Sequence, residues 1–229
     1  MHECVTIVGE LPLVDEYKNL AAQGGMDVSI GSENIRRDAD VAFELTVLDT
    51  PSKRSNLSML DQALDATVPV LSSSVTVTVT EQASWMKHPE RLIGIGALPS
   101  LLGGALVELA ASPMTSGNTV DRAFSFFRAL GKEPTLVKDL PGMVLPRIIG
   151  MLVNEACFAM EQKIAARADI DTAMRLGTNY PYGPLEWGER IGIRHIHAIV
   201  TSLHRYFGED RYRVAPFLHR AAEVNRFPA

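Results

Sequence analysis

Short apolar runs alternate with segments of helical spacing through the first 140 or so residues. Val5-Thr6-Ile7-Val8 is a buried-strand run ending at Gly9, and Val14 to Ala22 has the spacing of a helix that stops before Gly24-Gly25. Met26 to Ile30 and Val41 to Val47 supply further strands, followed by a helical pattern from Leu57 to Leu64 and a strand from Val68 to Leu71. Leu92 to Ile95, Leu106 to Leu109 and Thr135 to Val137 extend the series around a helix predicted from about Thr119 to Leu130, with Gly131 as its stop. Such alternation predicts an α/β fold with a mostly parallel sheet.

Near Asp139-Leu140-Pro141-Gly142 the pattern turns wholly helical. Helices are predicted over Ile148 to Ile164, over Ile170 to Leu176 with Asp169 as N-cap and Gly177 as stop, and over Ile193 to Phe207 before Gly208. Asn179 to Pro184 reads as a turn. The expected organisation is therefore an α/β domain over residues 1–139 and an all-helical domain over 140–229.

With 46% hydrophobic and 21% charged residues and no low-complexity tract, the chain has the makeup of a globular protein with a substantial core. A net charge of -5 argues against a nucleic-acid partner, because phosphate recognition needs a basic stripe. Cys4 and Cys157 stand far apart without ligand spacing, so neither a disulfide framework nor a metal site is expected, and Cys157 reads as core. His195 and His197 face different sides of a helix and are not read as a ligand pair; solvated or capping roles are expected for them. Ser72-Ser73-Ser74 lacks the surroundings of a nucleophile and reads as a turn. The opening Met1-His2-Glu3-Cys4-Val5 has no basic and apolar leader, and no apolar stretch is long enough for a membrane span, so a cytoplasmic, non-membrane protein is expected.

The turn after the first strand carries the first chemical signal. A dinucleotide-binding turn needs G-x-G-x-x-G, one glycine to turn the chain, one to admit the pyrophosphate and one for close helix packing. Here those positions are Gly9, Leu11 and Val14. Leu11 would fill space needed by phosphate, and Pro12 removes a donor. The acidic residue expected at the end of the second strand is Ser32, with Glu33 beside it. Only nine residues, Ser32 to Asp40, separate two strand runs, fewer than the roughly 10–12 of a crossover with its helix, so an element of the sheet is expected to be missing. From this segment alone, Gly9 also reads as an ordinary loop glycine.

Further motifs change that balance. Arg91-Leu92-Ile93-Gly94, Leu106-Val107-Glu108, Leu130-Gly131-Lys132, Asp139-Leu140-Pro141-Gly142, Asn154-Glu155-Ala156, Asp169-Ile170-Asp171, Ala173-Met174 and the run from Leu176-Gly177 through Pro181-Tyr182-Gly183-Pro184-Leu185 occur in order. In that order and spacing the chain resembles the 3-hydroxyacyl-CoA and 3-hydroxybutyryl-CoA dehydrogenases over nearly its whole length. The resemblance implies a Rossmann-like NAD domain followed by a helical domain that contributes to dimerisation and closes over acyl-CoA. It also implies a turn and helix start near Thr80-Glu81, against the period-two run Val75 to Thr80, which alone would read as a strand.

The family's four catalytic positions fall on Gly96 for the proton-transferring histidine, Glu108 for its orienting glutamate, Val75 for the serine and Pro146 for the asparagine. Only Glu108 retains its group. Proton transfer at the carbon that exchanges hydride needs a titratable neighbour, which glycine does not provide. The resemblance further places Lys53 and Arg54 near the CoA side of the cleft, and it implies a glycine-rich, aromatic tail that does not follow Asn225-Arg226-Phe227. The expectation is a shortened, degenerate member that no longer binds NAD well or transfers hydride. Its expected role is as an acyl-CoA-binding or partner subunit, with a homodimer predicted from apolar runs such as Ile148 to Val153. The alternative is a divergent, active NAD-dependent dehydrogenase with a relocated base.

Overall fold

The computed structural model describes residues 3–227; Met1, His2, Pro228 and Ala229, including the first residues of the expected leader-free start, lie outside the described residues. The chain forms two compact units, Met1–Met143 and Val144–Ala229. The first is α/β and the second, among the described residues, is helical apart from its turns.

In the first unit the strands β1 (Cys4–Gly9), β2 (Asp27–Ile30), β3 (Val41–Leu45), β4 (Val70–Ser73), β5 (Leu92–Ile95), β6 (Leu106–Ala110) and β7 (Glu133–Val137) form one sheet in the order β2-β1-β3-β4-β5-β6-β7. All neighbours are parallel except β5 and β6. The helices are α1 (Leu13–Gln23), α2 (Thr50–Ala63), α3 (Val79–Ala83) and α4 (Gly117–Ala129). Residues of β3 alternate between two cores as strand geometry requires. Phe43 meets Tyr17 of α1 at 5.0 Å and Phe126 of α4 at 5.5 Å between ring centroids. Ala42 instead joins Leu57 and Leu60 of α2, Val79 of α3 and Leu92.

The connection from β2 to β3 passes from one side of β1 to the other without an α-helix, containing only a 3-10 turn at Ser32–Asn34. It is tied directly to β1. The Cys4 N–H donates to Asp40 Oδ2 at 2.8 Å and the Arg36 N–H to Thr6 Oγ1 at 3.2 Å. These bonds replace the anchoring that a packed helix would provide, and they leave β2 as the sheet edge.

One local expectation needs correction, while the Val75 to Thr80 run forms the turn and helix start that the resemblance implied. Ser72 and Ser73 end β4 rather than forming a turn, and Ser74 donates its hydroxyl to the Ser72 carbonyl at 3.1 Å. The run Val75 to Thr80 yields to a cap: Thr78 accepts the Glu81 N–H and starts α3. Asp139 accepts the Val79 and Thr80 N–H groups at 2.7 and 2.8 Å, so the Asp139-Leu140-Pro141-Gly142 motif holds this helix start.

The second unit comprises α5 (Leu145–Glu161), α6 (Arg167–Thr178), α7 (Pro184–Ile191), α8 (Ile193–Phe207) and α9 (Pro216–Val224). Helix α5 is central, and a Cβ at Gly150 would lie 3.3 Å from Ile199 of α8. Asn154 of α5 clamps the loop before α9, donating to Arg213 O at 3.0 Å and accepting the Ala215 N–H at 2.9 Å. Helix α6 extends beyond its expected ends: Ala166 is the N-cap, Asp169 lies inside, and the chain stops at Asn179 with φ 58° rather than at Gly177. Helix α7 begins inside the stretch read as a turn and α9 was not expected; each opens on a proline, whose missing amide costs nothing in a first turn.

Candidate dinucleotide crevice and reaction edge

In an open parallel sheet the ligand crevice lies beyond the strand ends where the order reverses, here between β1 and β3. Gly9 ends β1 with φ +142°, and a Cβ there would lie 2.7 Å from the backbone carbonyl carbon of Leu45. The glycine is thus required by the approach of β1 to β3 and by the turn itself. Leu11, at the second glycine position, is 69% exposed. Val14, at the third glycine position, is buried in the core.

Acidic side chains oppose phosphate instead. Glu10 reaches across the crevice and its Oε2 accepts the Leu48 N–H at 3.3 Å. Helix α1 has Pro12 as N-cap with no side-chain cap, and carries Asp15 and Glu16 in its first turn. The Val14 N–H, one of the amides a phosphate would seek, donates to Glu10 O at 3.2 Å. Glu16 Oε1 accepts the Ser100 N–H at 2.9 Å, while burial pushes its carboxyl above the ordinary range against that hydrogen bond. A helix N-terminus attracts anions, but here carboxylates already occupy that field. Ser32 and Glu33 are exposed in the 3-10 turn after β2. These residues do not fit a dinucleotide pyrophosphate.

The structure brings Val75, Gly96 and Glu108, three of the four positions that the resemblance implied for reaction groups, to one end of the sheet. Val75 follows β4, Gly96 follows β5, and Ser74 N–H donates to Ile95 O at 3.0 Å between them. Glu108 of β6 accepts the Gly96 N–H through its carbonyl at 2.9 Å. A Cβ at Gly96 would lie 3.2 Å from Glu108 Cβ and 3.5 Å from its Oε2. The carboxylate that would orient an imidazole is therefore present and buried, beside a position with no side chain. Met143 Sδ would stand 3.4 Å from the same Cβ and closes the space. Val75 is fully buried and its carbonyl accepts the Gly142 N–H at 2.8 Å. Pro146 lies in the first turn of α5, in the second unit.

Lys53 is a correction: it is buried and paired, not placed at a CoA cleft. Its ammonium is buried between β3 and β4, pairing with Glu44 and donating to Ser72 Oγ at 3.1 Å and Ser73 O at 2.9 Å. Glu44 is 0% exposed and also accepts the Thr46 N–H at 3.0 Å. Burial lowers the Lys53 pKa and the Glu44 charge opposes that shift. Such a pair tolerates burial only because each charge is neutralised and hydrogen-bonded. Arg54, next in sequence, instead lies over the Trp85 ring at 5.1 Å and lines a groove of about 740 Å³ with Glu81 and Ser58.

Sequence reading missed Glu44, although a single carboxylate inside the apolar run Val41 to Val47 signals a buried partner. It also missed His197 meeting His219, since 22 residues separate them. His195 is buried rather than solvated. Among the described residues, no group of three or more His, Cys, Asp and Glu side chains could hold a metal ion.

Two family models match: residues 13–140 match the NAD binding domain of 3-hydroxyacyl-CoA dehydrogenase, and 142–229 match its C-terminal domain. The chain is 31% identical over 190 residues to a 3-hydroxybutyryl-CoA dehydrogenase of Clostridioides difficile, spanning 83% of this chain and 68% of that protein. It is 38% identical over 121 residues to the 3-hydroxyadipyl-CoA dehydrogenase of Escherichia coli, spanning 53% of this chain and 26% of the relative. In fold it is similar to the crystal structure of (S)-3-hydroxybutyryl-CoA dehydrogenase from Ralstonia eutropha, with a TM-score of 0.81 at 22% identity, covering 98% of this chain and 94% of the other.

Proposed function

The chain belongs to the 3-hydroxyacyl-CoA dehydrogenase family, and on that premise we propose that it has lost NAD-dependent hydride transfer and acts as a non-catalytic or repurposed acyl-CoA-binding or partner subunit. One observation carries this reading: Gly96, which the resemblance aligns with the family's proton-transferring histidine, has no side chain, and a Cβ there would lie 3.5 Å from Glu108 Oε2. The crevice supports it independently, because Glu10, Asp15 and Glu16 place negative charge where a pyrophosphate would bind. Arg54 is the cation proposed to meet a CoA phosphate, since Lys53 is committed to Glu44.

The decisive experiment is isothermal titration with NADH and with acetoacetyl-CoA, accompanied by an assay for NADH oxidation. The expected result is thioester binding without measurable NADH binding or turnover. NADH binding with turnover would favour the second reading, a divergent active dehydrogenase, which the retained burial of Glu108 favours.

A homodimer is proposed from apolar surface on the second unit. Helix α6 buries no residue, and Leu176, Ile164 and Ile148 are exposed at 77%, 69% and 52%. Light scattering is expected to give twice the 25.0 kDa chain mass; a monodisperse monomer at high concentration would reject this. No described helix is long and apolar enough to cross a membrane, and a cytoplasmic location is part of the proposal.

A further inference from the structure

In the second unit, His197 of α8 and His219 of α9 meet with His197 Nε2 and His219 Nδ1 2.9 Å apart. The ring centroids are 5.1 Å apart and the planes inclined at 38°. This is a direct N–H···N hydrogen bond between two imidazoles. It requires one ring to give a proton and the other to offer a lone pair, which an imidazolium lacks. We propose that the contact is a pH-sensitive latch, holding α9 to α8 while at least one of the two rings is neutral and letting it go when both are protonated.

The bond survives the first proton, because an imidazolium donates to a neutral imidazole. A second proton leaves two N–H groups aimed at each other and two positive charges side by side. The rings therefore titrate as a pair, with the second proton entering below the ordinary histidine range. His197 is the ring that resists it: the side chain is half-buried, and burial, followed by the His219 charge, lowers its pKa from 6.5. With the folded value below the unfolded one, the folded chain binds fewer protons between the two. The stability that the latch contributes is thus fully present above pH 6.5 and is lost as pH falls from there toward the folded value.

Helices α5 and α7 and the turn at Asp210–Tyr212 pack against α8 or α9. On α5, Glu161 pairs with Arg220 of α9, Arg147 is bonded to Tyr212, Glu155 is exposed, and burial keeps the Cys157 thiol protonated. On α7, Glu186 pairs with Arg190, and Glu189 with Arg167. In the turn Arg211 pairs with Glu209, and Asp210 is exposed. On α8 itself Arg194 donates to the Ala222 carbonyl at 3.2 Å, His195 is buried on another side, and His204 and Arg205 lie two turns further on and exposed. On α9, Glu223 Oε1 is 3.9 Å from His219 Nε2, beyond hydrogen-bond reach. Of these charges, that of His219 is the one that acts on His197. Helix α9 has nine residues and buries Leu218, Ala221 and Ala222, so loss of a contact to α8 is felt along its length.

The test uses the full chain at pH 7.5 and 5.0, with amide-exchange protection along α9 corrected for the intrinsic effect of pH, and with the histidine ring signals followed by nuclear magnetic resonance. Protection in α9 is expected to fall at least about threefold between the two pH values, the scale of an exposed charge contact. His219→Gln keeps a hydrogen-bonding side chain that takes no charge, so its fall should be smaller and the His197 midpoint should move up. Equal falls in the parent and folded His219→Gln, or a His197 midpoint that does not rise in that variant, overturns the proposal. The parent alone decides the matter if the variant does not fold: its two rings must titrate in separate, coupled steps, and a shared midpoint rejects the latch.

Discussion

At Gly96 the chain offers no side chain beside the buried Glu108 carboxylate. A Cβ at Gly96 would lie 3.2 Å from Glu108 Cβ and 3.4 Å from Met143 Sδ, contacts tight enough that both side chains must give slightly to admit one. Gly96→His is therefore expected to fold with a lower urea midpoint than the parent. It is not expected to oxidise NADH with acetoacetyl-CoA, because Glu10 and the acidic first turn of α1 still oppose the coenzyme. Turnover in that single variant would show that the crevice accepts NADH after all. Glu16 gives a pH-dependent prediction. Burial raises its folded pKa above the ordinary value of 4.5, so between those values the folded state binds more protons than the unfolded chain. Stability contributed by the neutral acid is lost as pH rises through that interval. Glu16→Gln should therefore be more stable than the parent at pH 7, with the difference vanishing below about pH 4. Urea midpoints at the two pH values test the sign.

At the scale of elements, the family motifs prove to be joints between helices and turns. Asp171 of α6 accepts the Leu185 and Glu186 N–H groups at 2.8 and 3.1 Å, capping the first turn of α7 from outside. Gly183 is tied to the same joint: a Cβ there would lie 2.3 Å from Asp171 Cβ. Asp171 and the Pro181-Tyr182-Gly183-Pro184 turn thus depend on one another within this chain. Asp171→Ala should cost about 1–2 kcal/mol, the range for loss of a helix cap, with faster amide exchange at Leu185 and Glu186. Unchanged exchange at both amides would contradict the capping role. Asp139 performs the corresponding task for α3 in the other unit.

For the whole molecule, each unit has its own buried interior, and Cys157 reports on that of the second. Its side chain is fully buried in α5, and burial pushes its thiol up to about 12. Thiolate is the reactive form, so maleimide at pH 8 should label Cys157 only through opening of the second unit. Labelling in native buffer should be slow and should accelerate with urea in step with loss of helical signal. Fast labelling without denaturant would show that α5 is not held as described.

Period and punctuation in the sequence determined the elements, because a strand run such as Val5 to Val8 or a glycine stop such as Gly208 acts through local backbone geometry. That Leu11, Gly96 and Pro146 lack the groups the resemblance implies at their positions is a sequence-level fact for a related reason: the chemical capacity of a side chain is set by its identity. Partnership was decided only by tertiary structure. The resemblance placed Lys53 beside Arg54 near a CoA cleft, yet an ammonium from α2 and a carboxylate from β3 meet in the interior beside β3 and β4. His197 finds His219 rather than His195, since α8 and α9 pack side by side. The same holds at the turn after β1: the sequence named the missing glycines, but only the fold placed Glu10 across the crevice, where its charge opposes a phosphate.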